Sequence, residues 1–158
     1  PGGPAVDMPA GPSELMVIVD RDAAPEIAAA DLLSQAEHDA DAQVLLVSTS
    51  RATIDYILSE VEVQVATLPR EAIARASLNE ARAILVRDLD AAAEVANLYG
   101  PEHLAIQIDD PEPLVDSINA AGAVFVGRCA CSIGRTPAPG ERAASSGRKK
   151  SFRSGKLR

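Results

Sequence analysis

The sequence is poor in aromatic residues, cysteine and histidine. Its 158 residues include no tryptophan, two phenylalanines, two tyrosines, two cysteines and two histidines. The cysteines are Cys129 and Cys131, and residues two apart seldom form a disulfide. A single C-x-C pair is also weak evidence for a metal site. Because nothing here indicates an oxidising compartment, we expect a cytoplasmic protein.

Long apolar runs and familiar nucleotide-binding motifs are also missing. The apolar run at 15–19 is far shorter than the roughly 20 residues of a membrane span. The opening residues have neither a basic start nor an apolar stretch, so we expect no secretory signal and no membrane partner. Neither G-x-G-x-x-G nor G-x-x-x-x-G-K-[ST] occurs, so no phosphate-binding loop is visible. The length and the 47% hydrophobic content predict one soluble domain, or part of one cut from a longer protein.

Charge divides the sequence near residue 128. Residues 1–127 contain six basic and 22 acidic residues, a net charge of −16, whereas residues 128–158 contain nine basic residues and one acid, a net charge of +8. The second segment has no periodicity and few large apolar residues, so we predict an α/β domain at 1–127 followed by a disordered tail. The basic stretch 147–158 could bind an anionic surface. A disordered terminus is the simpler interpretation, and we expect no nucleic-acid partner.

Apolar runs and helical patterns alternate along residues 14–127. The short β-branched runs are typical of strands buried on both faces. The predicted strands cover 14–20, 43–50, 81–88, 103–109 and 123–127. The predicted helices cover 25–38, 52–68, 89–100 and 111–122, with one or two further turns after Pro69. A proline opens the first helix, and glycines at 100 and 122 close the last two. This alternation predicts an α/β, Rossmann-like, mostly parallel sheet with helices on both faces.

The first histidine lies in the predicted helix 25–38. At about 100° per residue, Gln35 and His38 share a polar face with Asp31 and Ser34. From the pattern alone, this face is most simply solvated, with His38 near the helix end where a positive charge is favoured. A metal site built on it would need at least two more donors.

The second histidine follows an acid in a predicted turn. Glu102 and His103 could perform general acid–base chemistry, because histidine titrates near neutral pH. Adjacent residues in an extended segment point to opposite sides, however, which argues against a working pair. Ser13 lies in a Gly/Pro turn before the first strand. Its simplest role is local backbone hydrogen bonding, since no G-x-S-x-G frame surrounds it.

Four segments occur together in one order: "DMPAGPSELMVIVD", "AADLLSQAEHD", "YGPEHLAI" and "AGAVFVG". Over residues 5–127 they resemble histidinol dehydrogenase, the zinc- and NAD-dependent enzyme that ends histidine biosynthesis. The resemblance implies an incomplete domain, the central and C-terminal portion of a homodimeric enzyme more than twice this length. It also implies oxidation of L-histidinol to L-histidine through L-histidinaldehyde, with two NAD reduced.

The same resemblance implies roles for five residues. Gln35 and His38 match zinc ligands that also touch the substrate. Glu102 and His103 match the catalytic pair, with His103 as the base and Glu102 activating water, and His103 also contacts the substrate. Ser13 matches a further substrate contact. The family's NAD contacts lie upstream of Pro1, so we expect no cofactor-binding residue in this chain.

The sequence departs from the family after residue 127. "IGR" stands where the resemblance calls for "IGD", whose aspartate is a zinc ligand, and a further C-terminal histidine ligand is also missing. A shift of reading frame is our hypothesis for residues 128–158. With two of four donors absent, we expect weak zinc binding and no dehydrogenase activity from this chain by itself. The alternative is a non-catalytic α/β binding module whose basic tail contacts an anionic partner.

Overall fold

The computed structural model describes residues 13–127, in which five parallel strands alternate with five helices. The elements are β1 (Glu14–Val19), α1 (Pro25–Ala36), β2 (Gln43–Ser48), α2 (Arg51–Val65), α3 (Glu71–Glu80), β3 (Arg82–Leu85), α4 (Leu89–Tyr99), β4 (His103–Gln107), α5 (Glu112–Ser117) and β5 (Ala123–Val126). The tail predicted at 128–158, with its cysteines and basic end, lies outside these residues. No helix within 13–127 has the length and apolar character needed to cross a membrane.

The five strands form one sheet in the order β3-β2-β1-β4-β5, and every neighbouring pair is parallel. The first strand lies in the middle, and the chain builds outward from it first on one side and then on the other. This order is that of a Rossmann-type sheet. The structure therefore confirms the predicted α/β class and the Rossmann-like sheet.

Helices cover both faces of the sheet, as the sequence predicted. One apolar layer joins the sheet to α1, α2 and α3, and the other joins it to α4 and α5. From Leu15 to Val19 the side chains of β1 alternate between these layers and are all at most 3% exposed. Leu15, Val17 and Val19 enter the first layer, and Met16 and Ile18 enter the second. A strand buried on both sides has no polar face, which explains the continuous apolar run at 15–19.

Local signals fix the ends of α4. The side chain of Asp88 accepts a hydrogen bond from the backbone N–H of Ala91 at 2.8 Å and caps the first turn. Gly100 ends the helix in the left-handed conformation, with φ of 65°, as the sequence predicted. The chain can therefore turn directly from α4 into β4.

The structure corrects three predicted helices. The first helix ends at Ala36, so His38 lies in the turn that follows it. The segment after Pro69 forms a ten-residue helix, α3, instead of one or two turns. The last helix ends at Ser117 and does not continue to Gly122. Most other observed ends of helices and strands differ from the predicted ones by a few residues.

The early end of α5 has a tertiary cause. Asn97 of α4 donates from Nδ2 to the carbonyl oxygen of Ser117 at 2.9 Å. Its Oδ1 accepts the backbone N–H of Asn119 at 2.6 Å. Ile118 between them is extended and 2% exposed. These bonds replace further helical turns, and their source lies twenty residues upstream, beyond the reach of a local pattern.

Gly122 has a different function from the helix stop that the sequence predicted. Its backbone N–H donates to the carbonyl oxygen of Pro101 at 2.9 Å. The backbone N–H of Ala123 donates to the carbonyl oxygen of Glu102 at 2.8 Å. A Cβ at position 122 would lie 2.7 Å from the carbonyl oxygen of Glu102. Glycine is therefore required here because β5 enters the sheet in close contact with the turn before β4.

We expect Gly122→Ala to displace Glu102 and to lower the free energy of unfolding by about 1–3 kcal/mol, the usual cost of overpacking. Urea unfolding of the two proteins measures the difference. Ala120→Gly, an exposed change nearby, serves as a control for local chain flexibility. Equal free energies of unfolding of Gly122→Ala and wild type would show that the turn at Glu102 can move without loss of stability.

Candidate functional site

A cleft of about 1010 Å³ opens at the edge of the sheet where the parallel strands begin. Ser13 lies just before β1, Gln43 is the first residue of β2, and His103 is the first residue of β4; all three line it. Parallel pairing brings them together, because Glu14 lies opposite Gln43 and Leu15 lies opposite His103. Residues up to 90 positions apart thus share one opening.

Three helices end at the same cleft. Gln35 near the end of α1, Glu80 at the end of α3 and Tyr99 at the end of α4 all contribute to its wall. The carboxyl end of a helix carries a partial negative charge, because its last carbonyl groups have no partner within the helix. The backbone therefore favours a cation in this cleft.

Gln35 faces the sheet and is only 2% exposed. Asp31, one turn earlier, is 3% exposed. The sequence interpretation of this side of α1 as a solvated polar face is therefore wrong for both residues. The physical reason is Gln107 of β4, whose Nε2 donates to Asp31 Oδ2 at 2.5 Å and so makes burial of the carboxylate possible. The Nε2 atom of Gln35 is buried without a hydrogen-bond partner in the part of the chain that the structure describes.

His38 is exposed and lies two residues beyond the end of α1. Its backbone N–H donates to the backbone carbonyl oxygen of Gln35 at 3.2 Å, which tightens the turn. Arg70 donates from Nη2 to the carbonyl oxygen of His38, also at 3.2 Å. His38 and Gln35 do not share a helix face, but both line the same cleft.

Ser13, Glu102 and His103 form a connected group. Ser13 Oγ donates to Glu102 Oε2 at 3.2 Å, and the N–H of Glu14 approaches the same oxygen at 3.4 Å. His103 Nδ1 lies 3.8 Å from it, just beyond hydrogen-bond distance. The expectation that Glu102 and His103 point apart is wrong, because Glu102 lies in a bend before β4 and not within the strand.

The imidazole of His103 lies near an aromatic ring. Its ring centroid lies 5.9 Å from that of Phe125 on β5, with 31° between the planes. Its Nδ1 is buried and has no hydrogen-bond partner among residues 13–127. A small movement of Glu102 would satisfy this nitrogen and leave Nε2 as the basic atom. The arrangement is suited to moving a proton in the cleft.

Sequence reasoning missed a polar pair that also lines the cleft. Tyr99 donates from its hydroxyl group to Gln43 Oε1 at 2.6 Å. Burial raises the pKa of Tyr99, and the nearby negative charge of Glu14 raises it further. The phenol therefore remains a neutral donor. The one available signal was that Tyr99 opens the "YGPEHLAI" segment.

The carboxyl edge of the sheet, where open α/β sheets usually bind ligands, is acidic. Asp20, Asp22 and Asp109 place carboxylate oxygens within 4.8 Å of one another. Asp20 accepts the backbone N–H of Asp22 at 2.9 Å and that of Asp109 at 2.8 Å. These bonds account for the cluster, and its charge disfavours the approach of a phosphate group.

We expect Glu14→Gln to lower the pKa of Tyr99, because it removes a negative charge that opposes the phenolate. Absorbance titration in a Tyr56→Phe background, which leaves Tyr99 as the only tyrosine, measures the change. Glu112→Gln removes the same charge from α5 and is the matched control. An unchanged titration in Glu14→Gln would show that burial alone raises the pKa of Tyr99.

The chain is similar to known proteins along most of its length. The model of the histidinol dehydrogenase family matches residues 2–135. A curated histidinol dehydrogenase from Yersinia pestis is 50% identical over 125 residues, which are 79% of this chain and 28% of that protein. One from Escherichia coli K12 is also 50% identical over 125 residues, 79% of this chain and 29% of the relative. The chain thus spans less than a third of these relatives.

A solved structure is similar to the fold. The crystal structure of histidinol dehydrogenase from Elizabethkingia anophelis superimposes with a TM-score of 0.74 at 48% identity, over 77% of this chain and 28% of that one. Sequence and structure thus agree over the region that contains the cleft. On the extent of the family match, the chain belongs to the histidinol dehydrogenase family.

Proposed function

We propose that this chain supplies part of the active site of an enzyme that oxidises L-histidinol to L-histidine through L-histidinaldehyde, with zinc and NAD as cofactors. The observation that carries the proposal is that Ser13, Gln35, His38 and His103 line one cleft. They come from three separate parts of the fold, and Glu102 is bonded to one of them and adjacent to another. The fold alone would not support this conclusion, because Rossmann-like sheets serve many functions.

The residues of the cleft fit a zinc ion. An imidazole is a common zinc ligand, and an amide oxygen is a rarer one. His38 offers an exposed imidazole, while Gln35 offers a buried amide whose nitrogen lacks a partner among residues 13–127. The helix ends around the cleft favour a positive charge. Zinc, when bound, would hold the amino alcohol and polarise its oxygen.

The acid–base steps fall to Glu102 and His103. His103 accepts the proton of the substrate hydroxyl group, which its place in the lining of the cleft allows. Glu102 takes a proton from the water that is required for the second oxidation. NAD, when bound, would supply the hydride acceptor for both oxidations. In this way one imidazole and one carboxylate serve two successive steps.

Ser13 positions the carboxylate of the pair. Its Oγ lies 3.2 Å from Glu102 Oε2 and also lines the cleft. A hydroxyl group can donate to the carboxylate and accept from a substrate at the same time. Ser13 therefore joins substrate binding to the orientation of Glu102.

The alternative function, an anion-binding module, depends on a tail that lies outside the described residues. It stays a prediction, as do the homodimer and the cytoplasmic location.

We expect the chain to bind zinc weakly through Gln35 and His38. A four-ligand zinc site is worth about 10–16 kcal/mol, so one lost donor removes roughly 3 kcal/mol, or about a hundredfold in Kd. Isothermal titration of wild type, Gln35→Ala and His38→Ala measures this loss. Asp22→Asn removes one carboxylate of the acidic cluster and is the control. Zinc binding that survives His38→Ala but disappears in Asp22→Asn would place the ion at the wrong edge of the sheet.

Transfer of the matched 125 residues into the Escherichia coli relative tests the acid–base pair. We expect this chimaera to form NADH with L-histidinol. Glu102→Gln and His103→Asn should each lower kcat by about 10²–10⁴-fold, the usual contribution of general acid–base catalysis. Glu112→Gln is the matched control, and the 158-residue chain by itself should form no NADH. Near-normal kcat in His103→Asn would remove this residue from the mechanism.

A further inference from the structure

A buried polar pair lies behind the cleft. Asp31 of α1 and Gln107 of β4 are 3% and 2% exposed, and Gln107 Nε2 donates to Asp31 Oδ2 at 2.5 Å. The helix packs over β1 and β2, so this bond connects it to the next strand of the sheet. Neither residue lines the cleft.

Asp31 and Gln107 lie on the same two elements as residues of the proposed site. Asp31 precedes Gln35 by one helical turn, about 6 Å along the axis. Gln107 follows His103 by four residues on the same face of β4, about 13 Å along the strand. The bond therefore joins the two elements that carry Gln35 and His103.

The apolar contacts of α1 are non-directional, so they fix its position along the sheet less sharply than a hydrogen bond does. The buried apolar residues of the helix are small or aliphatic: Ala28, Ala29, Leu32, Leu33 and Ala36. They share one apolar cluster with side chains of β1, β2 and α2. A hydrogen bond, in contrast, is lost when the distance between its donor and acceptor increases by about 1 Å. The best-documented role of buried polar groups is to fix the position of one structural element relative to another.

We propose that Asp31 and Gln107 are a positioning pair that fixes α1 along the sheet and so sets the position of Gln35 and His38 relative to His103. This inference rests on the proposed function of the cleft. A helix rises about 1.5 Å per residue, whereas zinc–ligand distances tolerate about 0.2 Å. A slip of much less than one residue therefore misplaces the metal donors.

Three variants separate positioning from simple stabilisation. Gln107→Glu places a second carboxylate against Asp31 and breaks the bond. Asp31→Asn/Gln107→Glu restores it with the donor and acceptor exchanged, at unchanged side-chain lengths. Asp31→Leu/Gln107→Leu removes both polar groups, so neither member of the pair is left buried without the other. Gln64→Leu is the control, because Gln64 ties the other end of the helix through the carbonyl oxygen of Glu26 at 3.0 Å.

Two measurements are made on the full chain, at a temperature where each variant is folded. The first is the NMR spectrum of the metal-free protein, read at the Gln35 side-chain amide and at the imidazoles of His38 and His103, which are the chain's only histidines. The second is zinc affinity. We expect Gln107→Glu and the double leucine variant to shift the NMR signals and to bind zinc at least tenfold more weakly. The exchanged pair should return to within about threefold of wild type, and Gln64→Leu should change neither quantity.

The proposal is overturned if the double leucine variant keeps the wild-type NMR signals and zinc affinity, because the pair would then be only structural. If that variant does not fold, the comparison of Gln107→Glu with the exchanged pair decides, and absence of rescue overturns the proposal. Failure of wild type to bind zinc through His38 would reject the proposed function instead. The metal-free NMR signals would still report whether the pair positions the helix.

Discussion

The site depends on the parallel pairing of β1 with the strands on either side of it. This pairing sets Leu15 opposite His103, so that Ser13, just before β1, reaches Glu102, just before β4. On the other side it sets Glu14 opposite Gln43, which meets Tyr99. A slip of one residue would turn every side chain of β1 into the wrong apolar layer. The cores on both faces of the sheet thus hold the polar cleft in register.

The two edges of the sheet carry different sets of side chains. At the amino edge, three helices end around a cleft that contains imidazole, amide and hydroxyl groups together with carboxylates and one guanidinium group. At the carboxyl edge, Asp20 binds two backbone N–H groups beside two more carboxylates. Rossmann-type sheets usually bind their ligands at the carboxyl edge. In this chain the residues to which we assign proton transfer and metal binding lie instead where the strands begin.

The strands and most helices could be predicted from periodicity, because burial on both faces leaves a local pattern. The direction in which the polar side of α1 points could not be predicted in this way, since Asp31 bonds to Gln107, 76 residues away in the sequence. The end of α5 likewise depends on Asn97. Local pattern favoured a solvated surface for Gln35 and His38, and only the resemblance of several segments together indicated a site. Tyr99 was missed because it ends α4, whereas its partner Gln43 begins β2, 56 residues away in the sequence.

We propose above all that Gln35 and His38 bind a metal ion in the cleft that His103 also lines. The most direct test is an anomalous-scattering map, recorded at the zinc edge, from crystals of the chain grown with zinc. The account predicts one peak at about 2.0–2.2 Å from an imidazole nitrogen of His38 and from the amide oxygen of Gln35. A peak among Asp20, Asp22 and Asp109, with none in the cleft, would contradict it.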